Sequence, residues 1–320
     1  MALTEFDHGI TAIDTGFTRP QFDASHLIVR NGECAFIDTG TTFSVPNLLD
    51  ALEVKRIAPE QVRYVLLTHV HLDHAGGAGE LLRHLPNATA ILHPRGARHM
   101  IDPERLIAGA IGVYGEEVFH RSYGEIVPIA EDRVRIVEDE ERLDLGGDEL
   151  LFIHTEGHCR HHYCIIDETS NAIFSGDTLG VSYREFDTDK GAFILPAATP
   201  TEYDPDAMRA SFDRVAAYDL RAAYLTHYSE VTGLPRLLQQ LRRFLDFFDE
   251  LALSHGEDEN RNQVMVEKMY QFYGERVAEH GVVMPEQRIH ELLRIDAELN
   301  VVGIEVWLDR RKKQREKAKQ

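Results

Sequence analysis

The chain has 320 residues, of which 43% are hydrophobic and 28% charged, and its mean hydropathy is -0.30. This composition predicts a globular protein with a substantial core, and no apolar run approaches the roughly 18 residues that a membrane-spanning helix needs. The 54 acidic and 34 basic residues give a net charge of -20. Such a surface repels phosphate groups, so DNA and RNA are disfavoured as main partners, and we expect a small-molecule substrate.

The cysteines indicate a reducing compartment. The chain holds only Cys34, Cys159 and Cys164, an odd and sparse set that does not suit a disulfide framework. The N-terminus carries Glu5 and Asp7 before any apolar run, unlike a secretory signal. We therefore expect a cytoplasmic protein whose three thiols are ordinary core or near-core side chains.

Strand and helix patterns alternate along the first 230 residues. The helical patterns fall at 76–85, at 95–130 with glycine breaks, and at 206–218, after the start signal Asp204-Pro205. Runs typical of strands occupy 26–30, 34–38, 62–67, 88–93, 134–137, 149–154, 163–166, 172–174 and 222–225. The first two strands flank Asn31-Gly32, which is a hairpin signal. This alternation predicts an α/β layered fold.

Long amphipathic helices begin at Leu234 and are broken near 254–257 and 281–285. We therefore predict two domains, an α/β catalytic domain over 1–230 and a helical extension over 231–320. The apolar faces of these helices must be buried somewhere, and a homodimer formed through them is one way to do so. Seven of the ten residues in 310–319 are basic, and we interpret this tail as a fraying, solvated helix end.

The strongest motif follows the strand at 62–67. Four candidate metal ligands, His69, His71, Asp73 and His74, occur within six residues. One helix could not aim all four at a single point, because residues two apart are separated by about 200° around its axis. A loop that leaves a strand end could wrap them around ions, which is the interpretation we prefer to a harmless surface loop.

Later strand patterns also lead to candidate ligands. These are His158, Asp177 and His227, each close behind the carboxyl end of a predicted strand. Side chains at the carboxyl ends of several strands converge on one rim of a sheet, the usual place for an α/β active site. The chain has no GxSxG, GxGxxG or Walker segment, so no other obvious nucleophile or phosphate loop competes with this site.

Together these residues resemble the metallo-β-lactamase superfamily, which carries an HxHxDH motif, a later Gly-His, a Gly-Asp and a final His. The resemblance implies an αββα sandwich followed here by the helical C-terminal region. It implies that His69, His71 and His158 hold one metal, that Asp73, His74 and His227 hold a second, and that Asp177 bridges the two. Asp38 matches a family acid that braces a ligand histidine, and His162 matches a buried histidine of relatives.

The implied chemistry is hydrolysis by a metal-bridging hydroxide. Five imidazoles and two carboxylates suit two divalent cations, with zinc expected first and iron or manganese as alternatives. The predicted catalytic residues are Asp73, Asp177 and Tyr183, the last by similarity to lactonases in which a tyrosine near this point assists the carbonyl. We expect a small or medium ester, thioester or lactone as substrate.

Other activities of the same superfamily stay open. A diiron protein that binds or reduces oxygen or nitric oxide is one, although such relatives usually have Glu in place of His71 and an added flavin-binding domain. A phosphodiesterase is another, and the acidic charge weakens it. The helices after residue 231 could contact the substrate, as the helical domain of glyoxalase II does, or form a dimer.

Overall fold

The computed structural model describes residues 2–318, which form two compact units. Unit 1 holds the described residues through Thr155 together with His161–Gly176 and Asp219–Val231. Unit 2 holds Glu156–Arg160, Asp177–Tyr218 and the described residues from Thr232 onward. Unit 2 thus includes segments that precede the C-terminal helices, and the domain boundary predicted at residue 230 stays a prediction.

Unit 1 is built on two β-sheets. The first has the spatial order of the chain: β1 (Leu3–Glu5), β2 (Ile10–Asp14), β3 (Ala24–Arg30), β4 (Glu33–Ile37), β5 (Val62–Leu66), β6 (Thr89–Leu92) and β7 (Val134–Ile136). Its first four strands pair antiparallel and β4 to β7 pair parallel.

The second sheet has the order β13-β12-β11-β10-β9-β8. Its strands are β8 (Arg142–Leu145), β9 (Asp148–His154), β10 (Tyr163–Asp167), β11 (Ala172–Gly176), β12 (Ala222–Leu225) and β13 (Ser229–Thr232). Strands β8 to β11 pair antiparallel, and β11 pairs parallel with β12. Both sheets are therefore mixed, as expected where helical crossovers join some strands and hairpins join others.

Six helices belong to unit 1. They are α1 (Val45–Lys55), α2 (Leu72–Ala75), α3 (Ala78–His84), α4 (Ala97–Ile101), α5 (Glu104–Tyr114) and α6 (Glu116–Tyr123). The helix predicted over 76–85 is α3, and the separate single turn α2 precedes it. The predicted helical stretch over 95–130 consists of α4, α5 and α6, with Gly115 between the last two.

Side-chain alternation on the strands of the first sheet creates two apolar layers. On β4, Phe36 packs in one cluster with Leu48 of α1 and Leu81 of α3. The next residue, Ile37, packs in a different cluster that contains Phe152 of β9. One face of the first sheet is therefore covered by helices and the other by the second sheet. This burial of both faces explains the nearly continuous apolar runs.

The hairpin between β3 and β4 follows the prediction. Arg30 pairs with Glu33, so the loop consists of Asn31 and Gly32. Both residues have positive φ, 47° and 87°, which is the conformation that a two-residue type I′ turn requires.

Unit 2 contains the other four helices, α7 (Pro205–Ala216), α8 (Leu234–His255), α9 (Arg261–His280) and α10 (Glu286–Ala318). The Asp204 side chain accepts hydrogen bonds from the first turn of α7, as its predicted start signal requires. The apolar face predicted for α8 is buried, with Leu241, Phe244 and Leu245 all 0% exposed. Among the residues that the structure describes, no helix combines the length and apolarity needed to cross a bilayer.

The basic tail continues α10 through Ala318: Arg310 is partly buried, the side chains of 311–318 are exposed, and the last residue, Lys319, lies outside the described range.

Candidate metal centre

The segment from His69 to His74 changes direction between β5 and α2. His71 is extended, with φ -65° and ψ 149°, and it is the N-cap of α2, which begins at Leu72. The change from extended to helical backbone brings the rings together. His69 Nε2 lies 2.9 Å from His71 Nδ1, and the His69 and His74 ring centroids are 4.0 Å apart. The loop therefore gathers side chains that one helix would have spread around its axis.

Asp73, His74 and His227 form a compact group of three donors in unit 1. One ligand atom from each lies within 4.8 Å of the others. Asp73 Oδ2 is 3.9 Å from His74 Nε2 and 3.6 Å from His227 Nε2. The Asp73 side chain is 24% exposed whereas His74 is fully buried, so the carboxylate is the member that water reaches.

Both histidines of this group are held by their other ring nitrogen. His74 Nδ1 lies 2.9 Å from Asp38 Oδ2, and His227 Nδ1 lies 2.9 Å from the carbonyl oxygen of Phe22. An acceptor at Nδ1 holds the proton there and leaves the lone pair on Nε2, which is the usual arrangement of metal-binding histidines. The two rings are thus prepared to offer Nε2 to a cation beside Asp73.

Asp38, predicted as the bracing acid, is fully buried at the end of β4. Its carboxylate accepts hydrogen bonds from the Thr68 amide at 2.9 Å and from the Thr68 and Thr226 hydroxyls at 2.8 Å, in addition to its contact with His74. Asp38 therefore ties together the ends of strands from both sheets.

The two threonines were missed by our sequence interpretation, although the chain contains a signal. Thr68 precedes His69 behind β5, and Thr226 precedes His227 behind β12, so a Thr-His pair follows both strands. Each threonine binds Asp38 while the histidine after it is a candidate ligand. The repeated dipeptide could have identified both as supports of the site.

Unit 2 contains a similarly held histidine. His158 Nδ1 lies 2.9 Å from the carbonyl oxygen of Ala197, and its Nε2 lies 3.4 Å from Asp177 Oδ2. The hydroxyl of Thr199 donates to the His158 carbonyl oxygen at 2.6 Å. His158 and Asp177 are 3% and 5% exposed. Again one ring nitrogen binds a backbone acceptor and the other faces a carboxylate.

Asp23 is a second buried acid near the site. Unlike Asp38, it was not predicted from the sequence. It is fully buried, and the Thr15 hydroxyl donates to its Oδ2 at 2.9 Å. Burial raises the pKa of this carboxyl to about 7, although nearby His227 and His74 favour its charged form. No sequence motif identifies Asp23. It directly precedes β3, so its position depends on where that strand begins in the folded sheet.

Tyr183 lies in unit 2 and is 1% exposed, and its hydroxyl donates to the Asp296 carboxylate.

His162, in unit 1, is fully buried, with its ring 4.9 Å from that of His69. The three cysteines are buried, and none of them forms a disulfide.

The donor chemistry fits divalent metal ions. Imidazole nitrogens and carboxylate oxygens are borderline ligands that suit zinc, iron and manganese alike. The structure brings Asp73, His74 and His227 together, sets His69 beside His71, and sets His158 beside Asp177. The convergence of all seven side chains on two cations stays a prediction, as does the catalytic role of Asp73, Asp177 and Tyr183.

Comparison with known proteins identifies relatives across most of the chain. A metallo-beta-lactamase fold-containing protein of Sulfurisphaera tokodaii is 28% identical over 200 residues, 60% of this chain and 67% of that protein. An atrochrysone carboxyl ACP thioesterase of Passalora fulva is 26% identical over 272 residues, 82% of this chain and 66% of that protein. A hydroxyacylglutathione hydrolase of Aeromonas hydrophila is 26% identical over 221 residues, 68% and 66%. The matches thus span about two thirds of each relative's length.

The fold is also found among solved structures. The crystal structure of the archaeal metallo-beta-lactamase superfamily protein ST1585 from Sulfolobus tokodaii superposes with a TM-score of 0.65 at 21% identity, covering 93% of this chain and 98% of that one. The predicted fold, including the C-terminal helical region, is confirmed. The family model of the metallo-beta-lactamase superfamily matches residues 19–227, well over half of the sequence. The chain therefore belongs to the metallo-beta-lactamase superfamily.

Proposed function

We propose that this protein is a dinuclear metal-dependent hydrolase that cleaves the acyl bond of a small or medium ester, thioester or lactone. The observation that carries the proposal is the shared arrangement of His74, His227 and His158. Each has Nδ1 against a protein acceptor and Nε2 facing a carboxylate. Three rings prepared in the same way are expected of metal ligands and not of ordinary core histidines.

The proposed ligand sets follow the family. His69, His71 and His158 would hold one ion, Asp73, His74 and His227 the other, and Asp177 would bridge them. When bound, two divalent cations lower the pKa of a shared water and polarise the substrate carbonyl. Zinc is our first choice of metal, with iron or manganese as alternatives.

Two carboxylates of the chain would then complete the site: one would transfer protons, and the other would orient a ligand histidine. Asp73 is the partly exposed carboxylate of its group, so it is the one positioned to accept a proton from an attacking water and return it to the leaving group. Asp38 would keep the Nε2 lone pair of His74 on the metal throughout, because its contact with Nδ1 fixes the tautomer.

An aromatic wall in unit 1 supports an apolar acyl group. Phe22 packs edge-on against His227, with ring centroids 5.3 Å apart, and Phe17 lies 6.0 Å from Phe22. Phe17 in turn stacks on Tyr123 of α6 at 5.9 Å. Tyr123 also packs in an apolar cluster with Leu72, the neighbour of Asp73. The wall therefore extends from a candidate ligand to helices α5 and α6.

Helices α5 and α6 are well suited to bind an acyl chain. Helix α5 is mostly apolar in sequence but has no fully buried residue, and Val113 is 44% exposed. The rings of Tyr114 and Tyr123 lie with centroids 6.0 Å apart, and burial raises the pKa of Tyr123 and raises that of Tyr114 to about 12, with Asp73 adding to both effects. Both phenols are thus neutral donors near Asp73.

The test combines metal analysis with substrate panels. We expect the purified protein to contain metal and to hydrolyse acyl esters, thioesters or lactones in preference to bis-p-nitrophenyl phosphate. His69→Ala and Asp177→Ala should abolish hydrolysis and reduce bound metal without unfolding the chain. His84→Ala, which removes an exposed histidine of α3, is the matched control. Full activity of metal-free protein would refute the proposal.

The metal content and visible spectrum of the same purified protein distinguish the proposed hydrolase from the other activities of the superfamily. A colourless protein with zinc favours hydrolysis, whereas a visible spectrum with iron and no acyl hydrolysis would favour the diiron alternative. We also propose a cytoplasmic location, which is consistent with three buried cysteines that form no disulfide. A homodimer through the C-terminal helices remains a prediction.

A further inference from the structure

One face of α10 is in contact with the segment that surrounds His158 in unit 2. Asp296, Asn300 and Gly303 are spaced by four and three residues, so they lie on the same side of the helix. Asp296 accepts from Tyr183, Asn300 binds the backbone at 196–198, and Gly303 lies against the backbone at 198–199. The row continues at Arg310, which donates to the carbonyl of Thr201.

Asn300 fixes the peptide groups on both sides of Ala197. Its Oδ1 accepts from the Ala198 amide at 2.5 Å, and its Nδ2 donates to the Pro196 carbonyl at 3.0 Å. The same Nδ2 lies 2.7 Å from the Tyr273 hydroxyl of α9. Asn300 is 2% exposed, so these bonds form away from water and leave its amide no freedom to rotate.

Gly303 allows the helix to approach this segment. A Cβ atom at position 303 would lie 2.8 Å from the Thr199 carbonyl oxygen and 2.9 Å from that of Ala198. Real Cβ atoms do not come this close to backbone atoms, so any larger residue would push the segment away. The helix and the segment are thus held at one distance.

The fixed segment supplies the acceptor for His158. The carbonyl of Ala197 belongs to the same peptide group as the Ala198 amide that Asn300 binds, and it lies 2.9 Å from His158 Nδ1. Thr199, whose carbonyl lies against Gly303, donates its hydroxyl to the His158 backbone oxygen at 2.6 Å. These two contacts of His158 therefore come from residues that α10 fixes.

We propose that the C-terminal helix α10 positions the metal ligand His158, with Asn300 and Gly303 as positioning residues that act through the segment 196–199. The inference rests on the proposed metal centre and goes beyond it, because it gives the C-terminal helices a role in metal binding and not only in burying apolar surface. The backbone acceptor sets both the tautomer and the direction of the ring, and loss of such an acceptor typically weakens metal binding about 10- to 100-fold.

The test compares metal binding by variants of α10. Asn300→Leu removes all three hydrogen bonds, and Gly303→Ala adds one methyl group against the segment. Val301→Ala is the control, because it shortens a buried side chain of the same helix that makes no hydrogen bond. Zinc stoichiometry and affinity are measured by competition with a chromophoric chelator, and the stability of each metal-free protein is measured by urea unfolding.

We expect Asn300→Leu and Gly303→Ala to bind one of the two zinc ions about 10- to 100-fold more weakly. Val301→Ala should bind both ions as the wild type does, even where its stability falls as much. The visible spectrum of the cobalt-substituted protein should change in the first two variants and not in the control. If Asn300→Leu does not fold, Gly303→Ala and Thr199→Val provide the same comparison.

Unchanged zinc affinity and an unchanged cobalt spectrum in Gly303→Ala and Asn300→Leu would overturn the positioning role alone. An equal loss of affinity in Val301→Ala would do the same, because it would trace the effect to general destabilisation. A wild-type protein that binds no divalent metal would instead contradict the proposed function itself.

Discussion

The hydroxyl of Tyr183 donates to the carboxylate of Asp296, 3.1 Å from each oxygen and 113 residues further along the chain. Tyr183 is the residue predicted to assist the substrate carbonyl. The contact links it to the C-terminal helix α10. A phenol held by a charged acceptor keeps one orientation, so the helix controls where the Tyr183 oxygen lies.

The pair leads to a prediction for catalysis. If Tyr183 turns its single hydroxyl proton from Asp296 to the substrate, Tyr183→Phe should lower kcat by about 10-fold or more, the size expected for a lost hydrogen bond to a developing charge. Asp296→Asn should lower kcat less, and the double variant should behave as Tyr183→Phe alone, because Asp296 acts through the phenol. Steady-state kinetics at constant metal content measures this. An unchanged kcat in Tyr183→Phe would assign the pair a structural role only.

Asp38→Asn should weaken metal binding about 10- to 100-fold, because His74 loses the carboxylate that holds its Nδ1 proton. The variant also disturbs the contacts with Thr68 and Thr226, so its unfolding free energy should fall. Metal content after dialysis and urea unfolding measure the two effects. Asp50→Asn, at an exposed acid of α1, is the control. Retention of wild-type metal affinity would show that Asp38 does not support a ligand.

Substitution in the aromatic wall should change acyl-chain selectivity. Phe17→Ala removes the ring between Phe22 and Tyr123, so long acyl esters should lose more kcat/KM than short ones. Each methylene of the acyl chain that the wall buries contributes about 0.8 kcal/mol to binding. The loss of two such contacts therefore changes the ratio of kcat/KM for long esters to kcat/KM for short esters by about 10-fold. Val54→Ala, at a site 64% exposed, should leave the ratio unchanged. An equal effect on short and long chains would argue against an acyl-binding role.

His26 should make the stability of the protein depend on pH. Burial lowers its pKa from 6.5 to about 3, so the folded state favours the neutral ring. Stability is therefore complete above pH 6.5, where the unfolded chain is also neutral, and is lost as the pH falls from 6.5 toward 3. His26→Phe, which keeps an aromatic ring beside Phe174 and Tyr224, should remove about 1.4 kcal/mol per pH unit from this slope.

The measurement is urea unfolding of the metal-free proteins at pH 6.5, 5.5 and 4.5. The metal ligands contribute equally to both proteins, so the difference between the two slopes isolates His26. Parallel slopes would mean that His26 is protonated in the folded state.

Breaking a buried ion pair in unit 1 should be costly. Asp167 is fully buried and binds the Arg30 guanidinium at 2.5 Å. Asp167→Asn should destabilise the protein by up to about 3–5 kcal/mol, because it removes the fully buried one of the two carboxylates that pair with the arginine. Asp148, which also binds Arg30, is 28% exposed, and Asp148→Asn should cost less. Thermal or urea unfolding of both variants tests the order, and a larger loss for Asp148→Asn would contradict it.

Four strands of the described residues were not predicted from the sequence: β2 is an interior strand that our interpretation missed, and for the other three the position in the sheet explains why. β1, β8 and β13 lie at sheet edges and contain only three or four residues. Over so short a run, apolar periodicity cannot separate a strand from a loop, and pairing with a neighbour decides the conformation. The central strands β5 and β6 were predicted because burial on both faces requires an almost continuous apolar run.

Sequence alone was sufficient for the layered α/β fold, the helical C-terminal region and the candidate ligands, because apolar periodicity and a dense His/Asp motif are local properties of the chain. Only the tertiary structure revealed that Asp38 binds two threonines from different sheets, that Asp23 is buried near His227, and that Asn300 fixes the acceptor of His158. These contacts join residues tens to hundreds of positions apart. Their partners are chosen by how strands and helices pack, and no local pattern records that choice.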